Sequence, residues 1–511
     1  MRRTITMIAL LTIMAAMNAD AQDALIRFDK ERIVGEIDPN IYGVFMEPIG
    51  RRDGSNIVYG PLYDPESPYA NEDGFNTRII DAMRELKIPN MRWPGGNYTS
   101  NYNWMDGIGP KEDRPVRIDP AWGGKDINHV GTDEWVALNR AIGSENVVCL
   151  NFGFGNLDDS RFWLEYCNFP TGTYYSDLRA EYGHPEPFNI KYWCLGNEVD
   201  GKPWIMGHKN AEDYSKAAYE VGKLFRVLDP SVMLVASGSS WYENSPNGVT
   251  PRGQWIDWNH TVIKELYGLA DYLSIHRYWE YYSDDYYVMM ADNVMDVEEK
   301  IDVTRNLLDI ERVNYPAKRR MYISFDEWAA NGSSGMAQAL GNAQFLNAFV
   351  RNSDVVKMAN FTMMTSILST DRNTGETYRG PFFHIYKLFS NNALGKTIDS
   401  HVRCRTFDGN VYKDVPLLNV TCVLSPDGKD VVINVINVSK DDAITAEIEA
   451  VSGEYENTAE IRTVAHGIDE RFTIEKAEEY FPEITSGKVR NGKLTHTFPA
   501  LSFTQICIPV K

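Results

Sequence analysis

Two glutamates stand at the ends of short apolar runs: Glu198 in Trp193-Cys194-Leu195-Gly196-Asn197-Glu198, and Glu327 in Ser324-Phe325-Asp326-Glu327-Trp328. Neither belongs to a charged helix face. Two carboxylates held on neighbouring strand ends suit cleavage of a glycosidic bond: one protonates the leaving oxygen, and the other attacks or stabilises the cation developing on the sugar. The acid must keep its proton until substrate binds, so burial has to raise its pKa. Trp193 and Trp204 are candidate apolar walls for Glu198, and Asn197 could hold a sugar hydroxyl. Glu327 has to stay ionised, and Tyr278 is placed to donate a hydrogen bond to it. Each residue alone has a plainer reading, as a surface ion pair for Glu198 or aromatic packing for Tyr278. The joint pattern makes coincidence the poorer account.

Other polar residues share the strand-end position: Glu47, Asn97, Asn197 and His276. In Arg92-Trp93-Pro94-Gly95-Gly96-Asn97-Tyr98 the two glycines permit close backbone approach or positive φ, which aims Asn97 at the same place. Asn97-Tyr98-Thr99 is formally a glycosylation sequon, but a glycan there would block the site. His129, His184, His208, His260, His276 and His384 show no metal-ligand spacing, so no metal and no cofactor are expected. His276 reads as a supporting hydrogen-bonder.

These residues need a scaffold. From 41 to 395 short apolar runs alternate with longer amphipathic ones, the rhythm of βα units. Eight candidate strands cover 41–46, 88–93, 147–152, 190–195, 232–237, 272–276, 322–325 and 356–363. Helix-like stretches intervene, among them 211–227 behind Asn210 as N-cap, and 297–308. Eight strands separated by helices predict an α/β fold of the (β/α)8 TIM-barrel type, with a doubly wound open sheet as the alternative. Glu198 then follows the fourth strand and Glu327 the seventh, across the barrel mouth. After Gly395 the pattern becomes short strands separated by Pro426-Asp427-Gly428 and Asn491-Gly492 turns, which predicts a C-terminal all-β sandwich. The expected division is 1–21 signal peptide, 22–40 a strand segment joining the sandwich, 41–395 barrel and 396–511 sandwich.

A chain of 511 residues, 43% hydrophobic and 24% charged, has enough apolar content for a large core. Its net charge of −20 argues against nucleic acid or an anionic membrane as partner; a neutral polysaccharide is compatible. Arg2 and Arg3, the apolar run 5–17 and Ala19-Asp20-Ala21 read as a secretory signal cleaved after Ala21, giving a secreted or periplasmic protein. No later run is long enough to span a membrane. Six cysteines without a C-x-x-C pair leave any disulfide pairing open.

The ordered set Ile41-Tyr42-Gly43-Val44-Phe45-Met46-Glu47, Arg92-Trp93-Pro94-Gly95-Gly96-Asn97, Asn103-Trp104-Met105-Asp106-Gly107, Trp193-Cys194-Leu195-Gly196-Asn197-Glu198, His276-Arg277-Tyr278 and Phe325-Asp326-Glu327-Trp328 resembles the α-L-arabinofuranosidases of glycoside hydrolase family 51. The resemblance implies a retaining, exo-acting enzyme that removes terminal α-L-arabinofuranosyl residues from arabinan, arabinoxylan or derived oligosaccharides. It implies Glu198 as acid/base and Glu327 as nucleophile. By the same resemblance Glu47, Asn97, Asn197 and Tyr278 would hold the sugar or orient the nucleophile, with Arg92 beneath, and self-association is expected. Rival readings are an endo-β-glucanase or β-xylosidase on the same fold, and a non-catalytic carbohydrate-binding protein. The chain departs from the pattern at Pro48, where the family has His, at Arg379-Gly380-Pro381, where it has Arg-Gln-Thr, and after Trp328, where a second Trp is missing.

Overall fold

The computed structural model describes residues 23–49, 59–201, 209–240, 252–279, 283, 285–330, 335–371 and 376–511. Strand β1 (Ala24–Ile37) comes first, and eight strands then close into a barrel: β2 (Gly43–Phe45), β3 (Asn90–Trp93), β4 (Glu145–Cys149), β5 (Tyr192–Leu195), β6 (Met233–Ser237), β7 (Tyr272–Trp279), β8 (Tyr322–Ala330) and β9 (Val356–Thr362). Every neighbouring pair is parallel, and β9 returns to β2. Around it lie helices α1 (Thr77–Glu85), α2 (Thr132–Ile142), α3 (Leu157–Asn168), α4 (Tyr174–Glu181), α5 (Ala211–Leu228), α6 (Arg252–Leu266), α7 (Tyr286–Asn314), α8 (Gly335–Arg351) and α9 (Pro381–Asn392).

Local chemistry accounts for these elements. In α5 the Asn210 side chain accepts from the Asp213 amide as N-cap, and Tyr214, Ala218, Val221 and Phe225 form the buried stripe that turns the helix onto the barrel. Inside the barrel, alternate residues Val147, Cys149, Cys194, Val235 and Met358 pack into a filled core. The expected strands coincide with the observed ones, but β7 and β8 run past 276 and 325 to Trp279 and Ala330. His276, Tyr278 and Glu327 therefore sit inside strands rather than after them.

Apart from three two-residue hairpin pairs, the other strands are β10 (Gly395–Arg403), β11 (Leu418–Leu424), β12 (Asp430–Asn437), β13 (Ile444–Ala450), β14 (Thr458–Ala465), β15 (Glu483–Lys488), β16 (Lys493–Phe498) and β17 (Ser502–Pro509). With β1 they make a nine-stranded sheet ordered β15-β14-β17-β12-β11-β10-β1-β13-β16. β1 lies antiparallel to β10 and parallel to β13. That parallel pair arises because β1 arrives from the far end of the chain, free of any hairpin constraint. The sheet is tied to the barrel helices. Asn347 of α8 donates to the Asn419 carbonyl, the Thr397 hydroxyl donates to the Val350 carbonyl, and Gln505 donates to the Leu388 carbonyl of α9. Among the described residues no helix is long and apolar enough to cross a membrane, and the six cysteines are free thiols.

Candidate active site

Strand alternation delivers the site. On β3, Asn90 and Arg92 turn inward, while Trp93 packs outside against Trp135 and Trp163. On β7, Ser274, His276 and Tyr278 recur every second residue and share one face. On β8 the alternation is broken by one extra residue: Ser324 pairs with Ser274 but Glu327 pairs with His276. This bulge lets two consecutive side chains, Asp326 and Glu327, both face the interior. The flanking rings of Phe325 and Trp328 pack outward on Phe345 and Phe349 of α8.

Arg92 is fully buried at the centre. Its Nη1 donates to Glu327 Oε1 at 2.7 Å, its Nη2 to Asn197 Oδ1 at 2.7 Å, and its Nε lies 3.2 Å from Asp326 Oδ2. The second oxygen of Glu327 accepts from the Tyr278 hydroxyl at 2.7 Å. Both oxygens of Glu327 are thereby fixed. His276 Nδ1 lies 2.9 Å from Glu198 Oε1 and 3.9 Å from Glu327 Oε2, and its Nε2 faces Asp326 and Ser274.

Glu198 has a left-handed backbone (φ 43°), a costly conformation for a residue with a side chain. Gly196 before it is also left-handed (φ 94°), and a side chain there would strike Phe152. The two residues turn the chain sharply at the end of β5 and present the carboxyl to the mouth. Burial pushes the Glu198 pKa up, His276 pulls it back, and the charge of Glu327 raises it again. The His276 ring loses hydration in this site, yet Glu327, Asp326 and Glu198 together lift its pKa to about 10. Asp326 is equally buried, but Arg92 and His276 hold its pKa below the ordinary value. Single ligand atoms of Glu198, His276 and Glu327 lie within 4.8 Å of one another.

The turn after β3 completes the wall. Glu47 Oε1 accepts from the amides of Gly96 and Tyr98 at 3.1 and 2.8 Å. Burial, reinforced by Glu327, pushes the Glu47 pKa up to about 8, against the bonds from Trp122, Tyr98 and Gly96 that pull it back. A Cβ on Gly95 would meet the Glu47 side chain, and one on Gly96 would sit 2.8 Å from Glu327 Oε1. Only glycine lets the backbone approach both carboxyls. Asn97 is buried, and among the described residues neither of its amide atoms has a hydrogen-bond partner; Asn197 Nδ2 is likewise unpartnered. Beside the two carboxyls, these unspent amide atoms are available to a ligand's hydroxyls.

The structure thus brings Glu198, Glu327, Asn197, Tyr278, Arg92 and His276 into one bonded cluster, with Glu47 joined to it through the Gly96 turn that also leads to Asn97. Trp204 and His208 lie outside the described residues. Asp326 and Ser274 received no role from the sequence, although the period-two spacing of Ser274, His276 and Tyr278 carried the signal for Ser274. At Gly380, where the family's Gln is absent, a Cβ would meet Ser369 Oγ at 2.2 Å, and Arg379 turns away to pair with Glu85 at 2.8 Å. Pro48 is buried beside Glu47.

A (β/α)8 barrel with two carboxyls face to face across its mouth defines a glycoside hydrolase. Two family models agree: "Alpha-L-arabinofuranosidase 1 domain" matches residues 82–282, and "Alpha-L-arabinofuranosidase C-terminal domain" matches residues 326–502. Alpha-L-arabinofuranosidase C of Emericella nidulans is 36% identical over 83% of this chain and 86% of its own length. The intracellular exo-alpha-(1->5)-L-arabinofuranosidase of Halalkalibacterium halodurans is 32% identical over 94% and 97%. The crystal structure of the Thermotoga maritima alpha-L-arabinofuranosidase in complex with arabinose superposes with a TM-score of 0.82 at 31% identity, covering 95% of this chain and 100% of that one. The chain belongs to the α-L-arabinofuranosidases of glycoside hydrolase family 51.

One expectation is corrected by these relatives. The N-terminus was expected to direct secretion or periplasmic export with cleavage after Ala21, but the relative aligned over 94% of the chain is named intracellular. A basic pair, an apolar run and small residues make a compositional pattern that any short apolar N-terminus can meet. Residues 1–22 lie outside the described residues.

Proposed function

We propose that this chain is a retaining, exo-acting α-L-arabinofuranosidase that releases terminal non-reducing arabinofuranosyl residues from arabinan, arabinoxylan or their oligosaccharides. The observation that carries the reading is the spacing of Glu198 and Glu327, with carboxylate oxygens within 4.8 Å. Retaining enzymes hold their carboxyls about 5–5.5 Å apart, whereas inverting enzymes need about 6.5–9.5 Å to admit a water.

The assigned roles follow from the contacts. Glu327, ion-paired with Arg92 and fixed by Tyr278, attacks the anomeric carbon. Glu198, whose side chain is 15% exposed at the mouth, passes its proton to the departing glycosidic oxygen as that bond breaks. In the second half, Glu198 takes a proton from water, the water oxygen bonds to the anomeric carbon, and the bond to Glu327 breaks. Glu47 holds a sugar hydroxyl through its carboxyl, and the unpartnered amide atoms of Asn97 and Asn197 complete the recognition of a polyol. Residues 41–395 are the catalytic unit in this reading and 396–511, with 22–40, the supporting sheet. Self-association follows from the family resemblance and is read by sedimentation velocity.

The test compares aryl α-L-arabinofuranoside with aryl β-glucoside and β-xyloside, following the anomer of the first product by NMR. Turnover of the arabinofuranoside with α-arabinose formed first is expected, and Glu327→Gln abolishes it. A β-configured first product, or turnover surviving in Glu327→Gln, overturns the assignment.

A further inference from the structure

Asp326 is in no role assigned so far, yet it is among the most enclosed charges in the molecule, with its side chain 1% exposed. One oxygen faces Arg92 Nε at 3.2 Å; the other accepts from the Ser274 hydroxyl and lies 3.3 Å from His276 Nε2. Ser274 Oγ is itself 3.0 Å from the same ring nitrogen. The opposite edge of that ring faces Glu198 Oε1 at 2.9 Å. A continuous line therefore runs from Asp326 through the imidazole to the acid/base carboxyl, and the Lys300 ammonium on the His276 carbonyl anchors the backbone beneath.

We propose that Asp326 is the positioning residue for the proton of this reaction: with Ser274 it holds His276 edge-on to Glu198 and keeps the proton of the His276–Glu198 pair inside the site. This rests on Glu198 being the acid/base. Among the described residues the carboxyls facing the ring favour its protonation, while the Lys300 ammonium on the His276 carbonyl opposes it. Glu198 approaches from the end of β5, and Glu327 and Asp326 from β8. Arg92 on β3 is neutralised between the last two, Tyr278 on β7 is spent on Glu327, and the Cys194 thiol lies 3.9 Å from Asp326. Three carboxyls thus crowd one ring, which favours a retained proton, and Glu198 is the most open of the three, with its side chain 15% exposed against 6% for Glu327 and 1% for Asp326.

The sign of the effect does not depend on which atom of the pair holds the proton. Removing a negative charge beside a coupled pair weakens proton binding in each of its steps. Asp326→Asn keeps the size and an acceptor oxygen but removes the charge. Its kcat/KM profile on an α-1,5-arabino-oligosaccharide, a leaving group that needs the acid, is expected to lose its alkaline limb about one pH unit earlier than wild type, a tenfold change in proton affinity. Ser274→Ala keeps the charge and loosens the ring, so it lowers kcat while the limb stays in place. A merely structural Asp326 would lower activity evenly across pH with the limb unmoved, and that result overturns the proposal.

A second measurement needs no altered Asp326. In 15N-histidine NMR of the wild-type protein, the resonance lost in His276→Gln is expected to report both ring nitrogens protonated at pH 8. A neutral ring with bare Nε2 facing Asp326 overturns the proposal whether or not Asp326→Asn folds. If wild type fails to turn over the arabino-oligosaccharide, the functional reading falls, and the ring's protonation still decides the role of Asp326.

Discussion

A methyl group on Gly96 is the most sensitive probe of the nucleophile's position. Gly96 has negative φ (−95°), so a substitution there pays no left-handed penalty; what it meets is the site itself. The new Cβ would stand 2.8 Å from Glu327 Oε1 and 3.4 Å from Asn197 Nδ2. The first distance is well inside the 3.4 Å edge of ordinary contact, so about half an ångström of movement is required. Glu327 cannot yield cheaply, because Arg92 and Tyr278 hold its two oxygens at 2.7 Å each. The Gly96 turn cannot yield cheaply either, because its amide is bonded to Glu47. A displacement of about 1 Å in a reacting group can cost about a hundredfold. Gly96→Ala should therefore lower kcat on aryl α-L-arabinofuranoside about ten- to a hundredfold, or about 1.4–2.7 kcal/mol of barrier. The assay is steady-state kinetics at 25 °C beside a thermal melt, which separates a misplaced carboxyl from a lost fold. A folded Gly96→Ala enzyme with kcat within twofold of wild type would show that Glu327 is not held where its bonds to Arg92 and Tyr278 place it, or that its exact position does not matter to turnover.

Tyr278→Phe deletes one charge-assisted hydrogen bond to Glu327, worth about 1.5–3 kcal/mol, and is expected to lower kcat/KM about ten- to a hundredfold with little change in melting temperature; an unchanged kcat/KM contradicts the role given to the hydroxyl. Thermal stability should carry the signature of His276. Its pKa is about 10 folded against 6.5 unfolded, so its contribution is complete below about pH 6.5 and disappears as pH rises through 10. The linkage is on the order of several kcal/mol. Melting temperature should fall between pH 7 and 10 in wild type and fall less steeply in His276→Gln, as followed by calorimetry.

The barrel was legible because its signals are local. Parallel strands buried on both faces read as short continuous apolar runs, and the cap at Asn210 marks a helix start by chemistry alone. Glu198 and Glu327 were legible because a carboxylate closing an apolar run has little structural reason to be there. Asp326 was not, although it adjoins Glu327. Strict alternation places consecutive residues on opposite faces, and only the bulge between Ser324 and Glu327, a property of pairing with β7, turns both inward. The C-terminal sheet was legible only as a series of short strands and turns, and β15 shows why its members were not. β15 is largely exposed, in Glu483-Ile484-Thr485-Ser486-Gly487-Lys488, and its partner across the sheet supplies the order that its own sequence does not. The missing Gln at Gly380 was visible as a substitution, but the Ser369 hydroxyl that a side chain at Gly380 would meet is a tertiary contact.

The arrangement around Arg92 explains how two carboxyls of one kind can be given opposite tasks. Glu327 meets a guanidinium and a phenol, both permanent donors, and each of its oxygens is engaged. Glu198 meets an imidazole, a group that can give or receive, and its side chain is the more open of the two at 15% against 6%. Burial of both at this spacing would be prohibitive without compensating charge. Arg92 and His276 supply it from below and from the side, leaving the face toward solvent for the sugar. The strained backbone at Glu198 fits the proposed division: the carboxyl proposed to exchange protons with water sits on the turn at the strand's end, while the one proposed as nucleophile sits inside a strand. In the proposed assignment the proton-carrying group thus sits on the turn and the ion-paired group in the barrel wall.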